Sequence, residues 1–208
     1  METLTPEARP PTRERVLAAA LRLFAERGYQ GTTVGEVEAA AGLAPRSGAL
    51  YRHFPSKRAL IEAAIADRVE AVDALERRFD LLPLDDLRSE LRLIARLTLD
   101  ELDRERDLVR LVMKEGDRFP ELAEAFHEGI VSRGHRIGVE WLRSRAPELG
   151  LDLPDPEATA HVFADALVGY ALQRHLFGDR EGMIDRERIV DAFVDLAAAL
   201  LAGGEGGG

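Results

Sequence analysis

The chain has 208 residues, 28 Lys or Arg against 38 Asp or Glu for a formal charge of −10, and no cysteine. The missing cysteines exclude disulfides, thiolate nucleophiles and thiolate metal sites, and no apolar run approaches the roughly 18 residues that a membrane span needs. The N-terminal METLTPEARPPTRER has no apolar signal core, so no membrane association and a cytoplasmic location are expected, with residues 1–11 and 203–208 as tails too poor in apolar groups to order themselves.

Val16, Leu17, Ala20, Leu21 and Phe24 recur at helical spacing, and Gly28 ends this first helix. Thr33 followed by Glu36 is a capping-box pattern that starts a second helix, in which each side chain satisfies a free backbone amide of the other. Gly42 ends it and lets the chain reverse into a third helix, Leu43 to Phe54. That helix carries Arg46, Ser47, Tyr51, Arg52 and His53 beside the inward pair Leu50 and Phe54. Two short helices joined by a glycine turn are a DNA-reading device. Glu38, on the second helix, is expected to face solvent. Pro55 stops the third helix and Ser56 caps the next.

The fourth helix is long, with Leu60, Ile61, Ala64, Ile65, Val69, Val72 and Phe79 on one side, and ends near Pro83. Asp85 or Asp86 starts another, carrying Leu87, Leu91, Ile94, Leu97 and Leu102, and a separate short helix covers Leu108 to Glu115. Phe119-Pro120 introduces a helix that runs through Trp141 to about Arg145. After the turn-rich APELGLDLPDP, Asp155 caps and Pro156 opens a helix to about Phe177. Asp185 caps the last, which ends at Leu201. No stretch alternates with the period of a strand, so the fold is expected to be all-α: a three-helix head over residues 12–58 and a larger helical bundle over residues 59–202.

Charge is unevenly spread. Residues 9–58 hold nine Lys or Arg and four acids, net +5, which leaves −15 for the remainder. A basic head on an acidic body offers one face to a phosphate backbone. The last two helices are apolar on more than one side. Val162, Phe163, Ala166, Leu167, Gly169 and Tyr170 lie on one, and Ile189, Val190, Phe193, Val194, Leu196, Ala197, Leu200 and Leu201 on the other. Such helices need partners on more than one side.

Enzyme chemistry finds little to use. Glu124 and His127 have the Glu-x-x-His spacing of bundle di-iron sites but lack the second copy such a site needs. His127 and His135 are about 12 Å apart along a helix axis, and His161 with Asp165 reads as an ordinary surface or interface pair. No metal, cofactor or catalytic residue is assigned.

The run Gly-Tyr-x-x-Thr-Thr-Val at 28–34, Ala-Ala-Gly-Leu at 40–43 and Leu-Tyr-Arg-His-Phe-Pro-Ser-Lys-x-x-Leu at 50–60 resembles the DNA-binding end of TetR-family transcriptional regulators. Gly42 and Tyr51 stand about two residues further apart than in the usual pattern of that family. The resemblance implies a ligand-responsive regulator, most simply a repressor released from double-stranded operator DNA by a small-molecule effector. It also implies a homodimer joined through the last two helices. On this reading Thr33, Tyr51, His53 and Lys57 hold phosphates, and Arg46, Ser47, Ala49 and Arg52 face base edges. An effector would lie among Phe79, Met113, Phe126, His127, Trp141 and Tyr170, with His127, Glu115 and Asp117 as its polar candidates. The alternative is an all-α small-molecule-binding protein or metalloenzyme with a vestigial head.

Overall fold

The computed structural model describes residues 11–44, 48, 50–79, 82, 84, 86–151, 153–178 and 180–202, without the side chains of residues 71, 75, 76, 78 and 79. Among the described residues the α-helices are α1 (Thr12–Arg27), α2 (Val34–Ala40), α3 (Lys57–Phe79), α4 (Leu87–Glu115), α5 (Pro120–Phe126), α6 (Ser132–Glu148), α7 (Pro156–Phe177) and α8 (Arg186–Ala202). A 3-10 turn covers Leu50–Arg52 and a π-helical stretch covers His127–Val131. No described residue is in a strand, and no described helix is long and apolar enough to cross a membrane. The protein is all-α.

Contacts group the chain into two compact units, Met1–Asp67 with Asp107–Ala123, and Arg68–Arg106 with Glu124–Gly208. In the first, α1 buries Val16, Leu17, Ala20, Leu23 and Phe24, joined in the core by Val37, Leu50, Phe54, Leu60, Leu108 and Leu111. Gly28 terminates α1 at φ 79°, ψ 164°, and its N–H bonds the Phe24 carbonyl at 2.8 Å. Only glycine adopts that backbone region readily, and a Cβ built there would stand 2.8 Å from a Glu115 carboxylate oxygen. The second unit is cored by Leu91, Ala95, Leu99, Leu142, Leu167, Val190, Val194, Ala197 and Leu201. Asp155 caps α7 through the Ala158 N–H at 2.9 Å, and Asp185 accepts from the Glu187 N–H at 2.8 Å ahead of α8.

Three expectations about elements are corrected. The helix expected from Leu43 to Phe54 does not run unbroken, because Gly48 sits at φ 69° and Leu50–Arg52 is a 3-10 turn. The two helices expected over 85–102 and 108–115 are one 29-residue helix, α4, since no Gly or Pro interrupts 87–115. The helix expected from Phe119-Pro120 to Arg145 instead contains the π-helical stretch. There Gly129 approaches α3 so closely that a Cβ would fall 2.6 Å from Val69 Cγ2, and the π-helical stretch is a single-turn bulge of the kind found inside α-helices.

The second unit also holds three polar devices. Arg88, Arg92 and Arg96 of α4 pair with Asp195, Asp191 and Glu187 of α8, an antiparallel ladder with a step of four residues on each helix. Below it, the fully buried Glu90 accepts the Trp141 indole N–H at 2.6 Å and stands 3.1 Å from Arg145. Arg186 reaches both Asp100 and Asp103, and Asp103 also lies 3.2 Å from the buried His175.

Candidate nucleic-acid interface

The head presents its polar residues on a frame fixed from below. Thr33 accepts from the Glu36 N–H at 3.3 Å, while Glu36 accepts the Thr33 N–H and hydroxyl at 2.7 Å each, so both halves of the capping box are made. These two donors, the backbone one foremost, hold the Glu36 carboxyl below its ordinary pKa, helped by Arg27 at 2.9 Å.

Glu38 overturns the expectation that it faces solvent. It is fully buried, and its carboxylate accepts the Leu50 N–H at 3.1 Å. The reason is geometric: Leu50 opens a 3-10 turn whose first amides have no partner within the turn, and Glu38 is a long acceptor that reaches one of them. Leu50 and Phe54 anchor the turn in the core, with Phe54 N–H closing onto the Leu50 carbonyl at 2.9 Å. Tyr51, 56% exposed, Arg52 and His53 therefore project to solvent from a fixed base. Arg46, Ser47 and Ala49 lie outside the described residues.

Lys57 has a second task that sequence did not reveal. Its ammonium donates to the Tyr29 carbonyl and, at 2.7 Å, to the Thr32 carbonyl, and it sits 4.2 Å from the Tyr29 ring centroid. Burial lowers its pKa, opposed by the charges of Glu115 and Glu36. Two of its three N–H groups are thus spent on the loop after α1. Lys114 donates to the carbonyls of Ala25 and Glu26 at 3.1 and 3.0 Å, a cation on the negative end of α1, and Glu115 accepts the Tyr29 N–H at 2.8 Å. Ser56 caps α3 through the Ala59 N–H at 3.0 Å.

The expected effector residues are less uniform. Met113 and His127 are exposed, Met113 by 58%. Phe126, Trp141 and Tyr170 are half-buried. Trp141 spends its N–H on Glu90, and the Tyr170 hydroxyl donates to the Ile184 carbonyl at 3.2 Å while accepting from Arg174 at 2.8 Å. The Phe79 side chain lies outside the described residues. Glu115, offered as a polar effector contact, is engaged with Tyr29 instead. On the last two helices, Leu167, Val190 and Val194 are buried within their own unit, whereas Val162, Leu196 and Leu200 stay exposed, by 69, 70 and 52%.

The model for bacterial regulatory proteins of the tetR family matches residues 16–64, and that for the C-terminal domain of the AefR-like transcriptional repressor matches residues 90–202, more than half of the chain. YvkB of Bacillus subtilis strain 168, an uncharacterized HTH-type transcriptional regulator, is 24% identical over 87% of this chain and 92% of its own. UidR of Escherichia coli K12, an HTH-type transcriptional regulator, is 35% identical over 59% of this chain and 60% of its own. A transcriptional regulator of Pseudomonas aeruginosa PAO1 has the same fold, with a TM-score of 0.71 at 22% identity over 97% of this chain and 94% of that one. A capped α2, a glycine turn and an exposed Tyr-Arg-His triplet, in a chain matched by both models, favour the regulator over the binding protein with a vestigial head: the chain belongs to the TetR family of DNA-binding transcriptional regulators.

Proposed function

We propose that this protein is a cytoplasmic, non-enzymatic repressor that leaves its operator when a small-molecule effector binds. The observation that carries the reading is the exposed Tyr51-Arg52-His53 turn, set on a base that Glu38, Leu50 and Phe54 fix. Residues 12–58 would read DNA and residues 59–202 would bind effector and dimerise. Tyr51, His53 and the remaining donor of Lys57 contact phosphates, whereas the Thr33 hydroxyl, whose one proton goes to Glu36, has none to give a phosphate. Arg46, Ser47, Ala49 and Arg52 meet base edges in the major groove, with the two heads of a dimer about 34 Å apart, one turn of duplex. Val162, Leu176 and Phe177 of α7 and Leu196 and Leu200 of α8 are exposed apolar side chains, which supports a homodimer built on these helices.

Duplex selected from a randomised library tests the DNA claim. Affinity should fall with salt by about 0.9 log unit per log unit for each phosphate neutralised. Arg46→Ala should relax sequence preference at a cost of about 1–3 kcal/mol, while Tyr51→Phe should weaken all sequences alike. A protein that selects no sequence and binds random duplex without salt dependence would sink the reading. Leu196→Glu with Leu200→Glu should give monomers in sedimentation.

Release is tested by the fluorescence of Trp141, the single tryptophan. An effector found in a metabolite screen must bind more weakly in the presence of operator, by the same factor that it weakens the operator. Equal effector affinity with and without operator refutes release. Phe126, Trp141 and Tyr170 are the residues whose replacement should weaken the effector most, with Phe79, Met113 and His127 tested beside them.

A further inference from the structure

His135 stands in the first turn of α6, and His161 and Asp165 lie one turn apart on α7. An i,i+4 pair shares one helix face, and the packing of α6 on α7 brings His135 to that face. The His135 and His161 rings stack with centroids 4.0 Å apart and planes at 22°. His135 Nε2 is 3.0 Å from Asp165 Oδ1. One ligand atom from each of the three side chains lies within 4.8 Å of the other two. The two imidazoles are partly buried and Asp165 is exposed, so the group is open to solvent on the carboxylate side.

We propose that His135, His161 and Asp165 form a site for a divalent first-row transition ion of the zinc class, with water completing its shell, and that the ion ties α6 to α7. Donors held about 2.0–2.2 Å from a tetrahedral ion stand roughly 3.3 Å apart. The observed spacing is therefore within about 1.5 Å of the need, a movement that side-chain rotation covers. Two imidazole nitrogens and one carboxylate select zinc, nickel, copper or cobalt over magnesium and calcium, which require shells of oxygen. The present pair is a hydrogen bond from His135 Nε2 to Asp165. Coordination through Nε2 uses the other tautomer, with the proton on Nδ1, and Asp165 then supplies its charge to the ion instead of to the imidazole.

The test uses the full chain, stripped with a chelator and titrated with Zn2+ against a chromophoric competitor. One ion per chain is expected. His135→Ala, His161→Ala and Asp165→Asn should each weaken binding at least about tenfold, the loss that even an outer-shell partner commands. Glu140→Gln, an exposed carboxylate on α6, should leave it unchanged. Co2+ bound in place of Zn2+ should show the visible absorption of a four- or five-coordinate ion, lost in Asp165→Asn. Asp165→Asn alters an exposed side chain, so retained helicity by circular dichroism separates loss of the ligand from loss of fold. No stoichiometric Zn2+ binding at micromolar concentration overturns the proposal, and so does binding that survives all three replacements.

Discussion

The two compact units are held by different kinds of bond. In the unit that carries the head, charged side chains capture backbone groups: Lys57 on the carbonyls of Tyr29 and Thr32, Lys114 on those of Ala25 and Glu26, Glu115 on the Tyr29 N–H, Glu38 on the Leu50 N–H. In the other unit, side chains meet side chains along helix faces, as in the ladder between α4 and α8. Backbone capture fixes the path of a loop, and the head is made of short helices whose loops decide where Tyr51 points. Ion pairs between long helices only align cylinders that an apolar core already holds. The head is thus specified by its polar contacts, and the larger unit by its apolar ones, with the fully buried Glu90 the foremost of a few exceptions.

That exception gives the largest expected effect. Arg145→Ala leaves the Glu90 charge buried with only the Trp141 N–H, and should cost about 3–5 kcal/mol in urea unfolding of the full chain. Adding Glu90→Leu should restore most of the loss, and failure of that rescue would show that Arg145 acts through packing. Next comes Gly28→Ala, where the backbone region alone costs about 1–3 kcal/mol and the Cβ also pushes on Glu115. If the head depends on backbone capture as argued, this change should release Tyr29 and lower DNA affinity as well as stability.

Thr33→Ala should cost about 1 kcal/mol by removing the cap of α2. The same contact makes the head acid-sensitive. Glu36 has a folded pKa below its ordinary 4.5, so its contribution is complete above the unfolded-state value and is lost as pH falls through the folded one. Unfolding followed from pH 6 downward should show this acid slope in the native chain and a shallower one in Thr33→Ala. The smallest effect belongs to the ladder: Arg96→Ala should change stability by less than about 1 kcal/mol, and less still at high salt. A larger or salt-independent loss would mean that the ladder does more than align helices.

Much of this was legible before the structure. Caps are local, so Thr33 with Glu36, Ser56, Asp155 and the glycine after α1 announce helix ends within a few residues. What escaped depends on partners far along the chain. The charged run after Leu102 reads as a helix end, yet Glu101 and Glu105 are buried on an unbroken α4. Glu38 looks solvated until Leu50 is seen to need an acceptor, and Lys57 looks free until the carbonyls after α1 are placed beside it. The π-helical stretch lies where Gly129 meets Val69 of another helix, a contact that local sequence does not announce. The imidazole of His135 joins His161 and Asp165 only when α6 and α7 pack, and a distance of 26 residues along the sequence gives no hint of it. For the base-facing residues Arg46, Ser47 and Ala49, sequence remains the only guide.

The ladder between α4 and α8 repeats every four residues on both helices, which makes it self-similar. Slide α8 by one turn, about 5.4 Å, and two of its three Arg–carboxylate pairs can form again with new partners, Arg92 with Asp195 and Arg96 with Asp191, or Arg88 with Asp191 and Arg92 with Glu187. With every Arg on α4 and every acid on α8, charge holds the two faces together but is nearly indifferent to the register. The choice among registers falls to the aperiodic mixture of small and large side chains beneath it, Ala95, Val190, Val194 and Ala197. Replacing one of these by a bulkier neighbour would act on the vernier of the molecule, moving α8 along a rail that hardly resists.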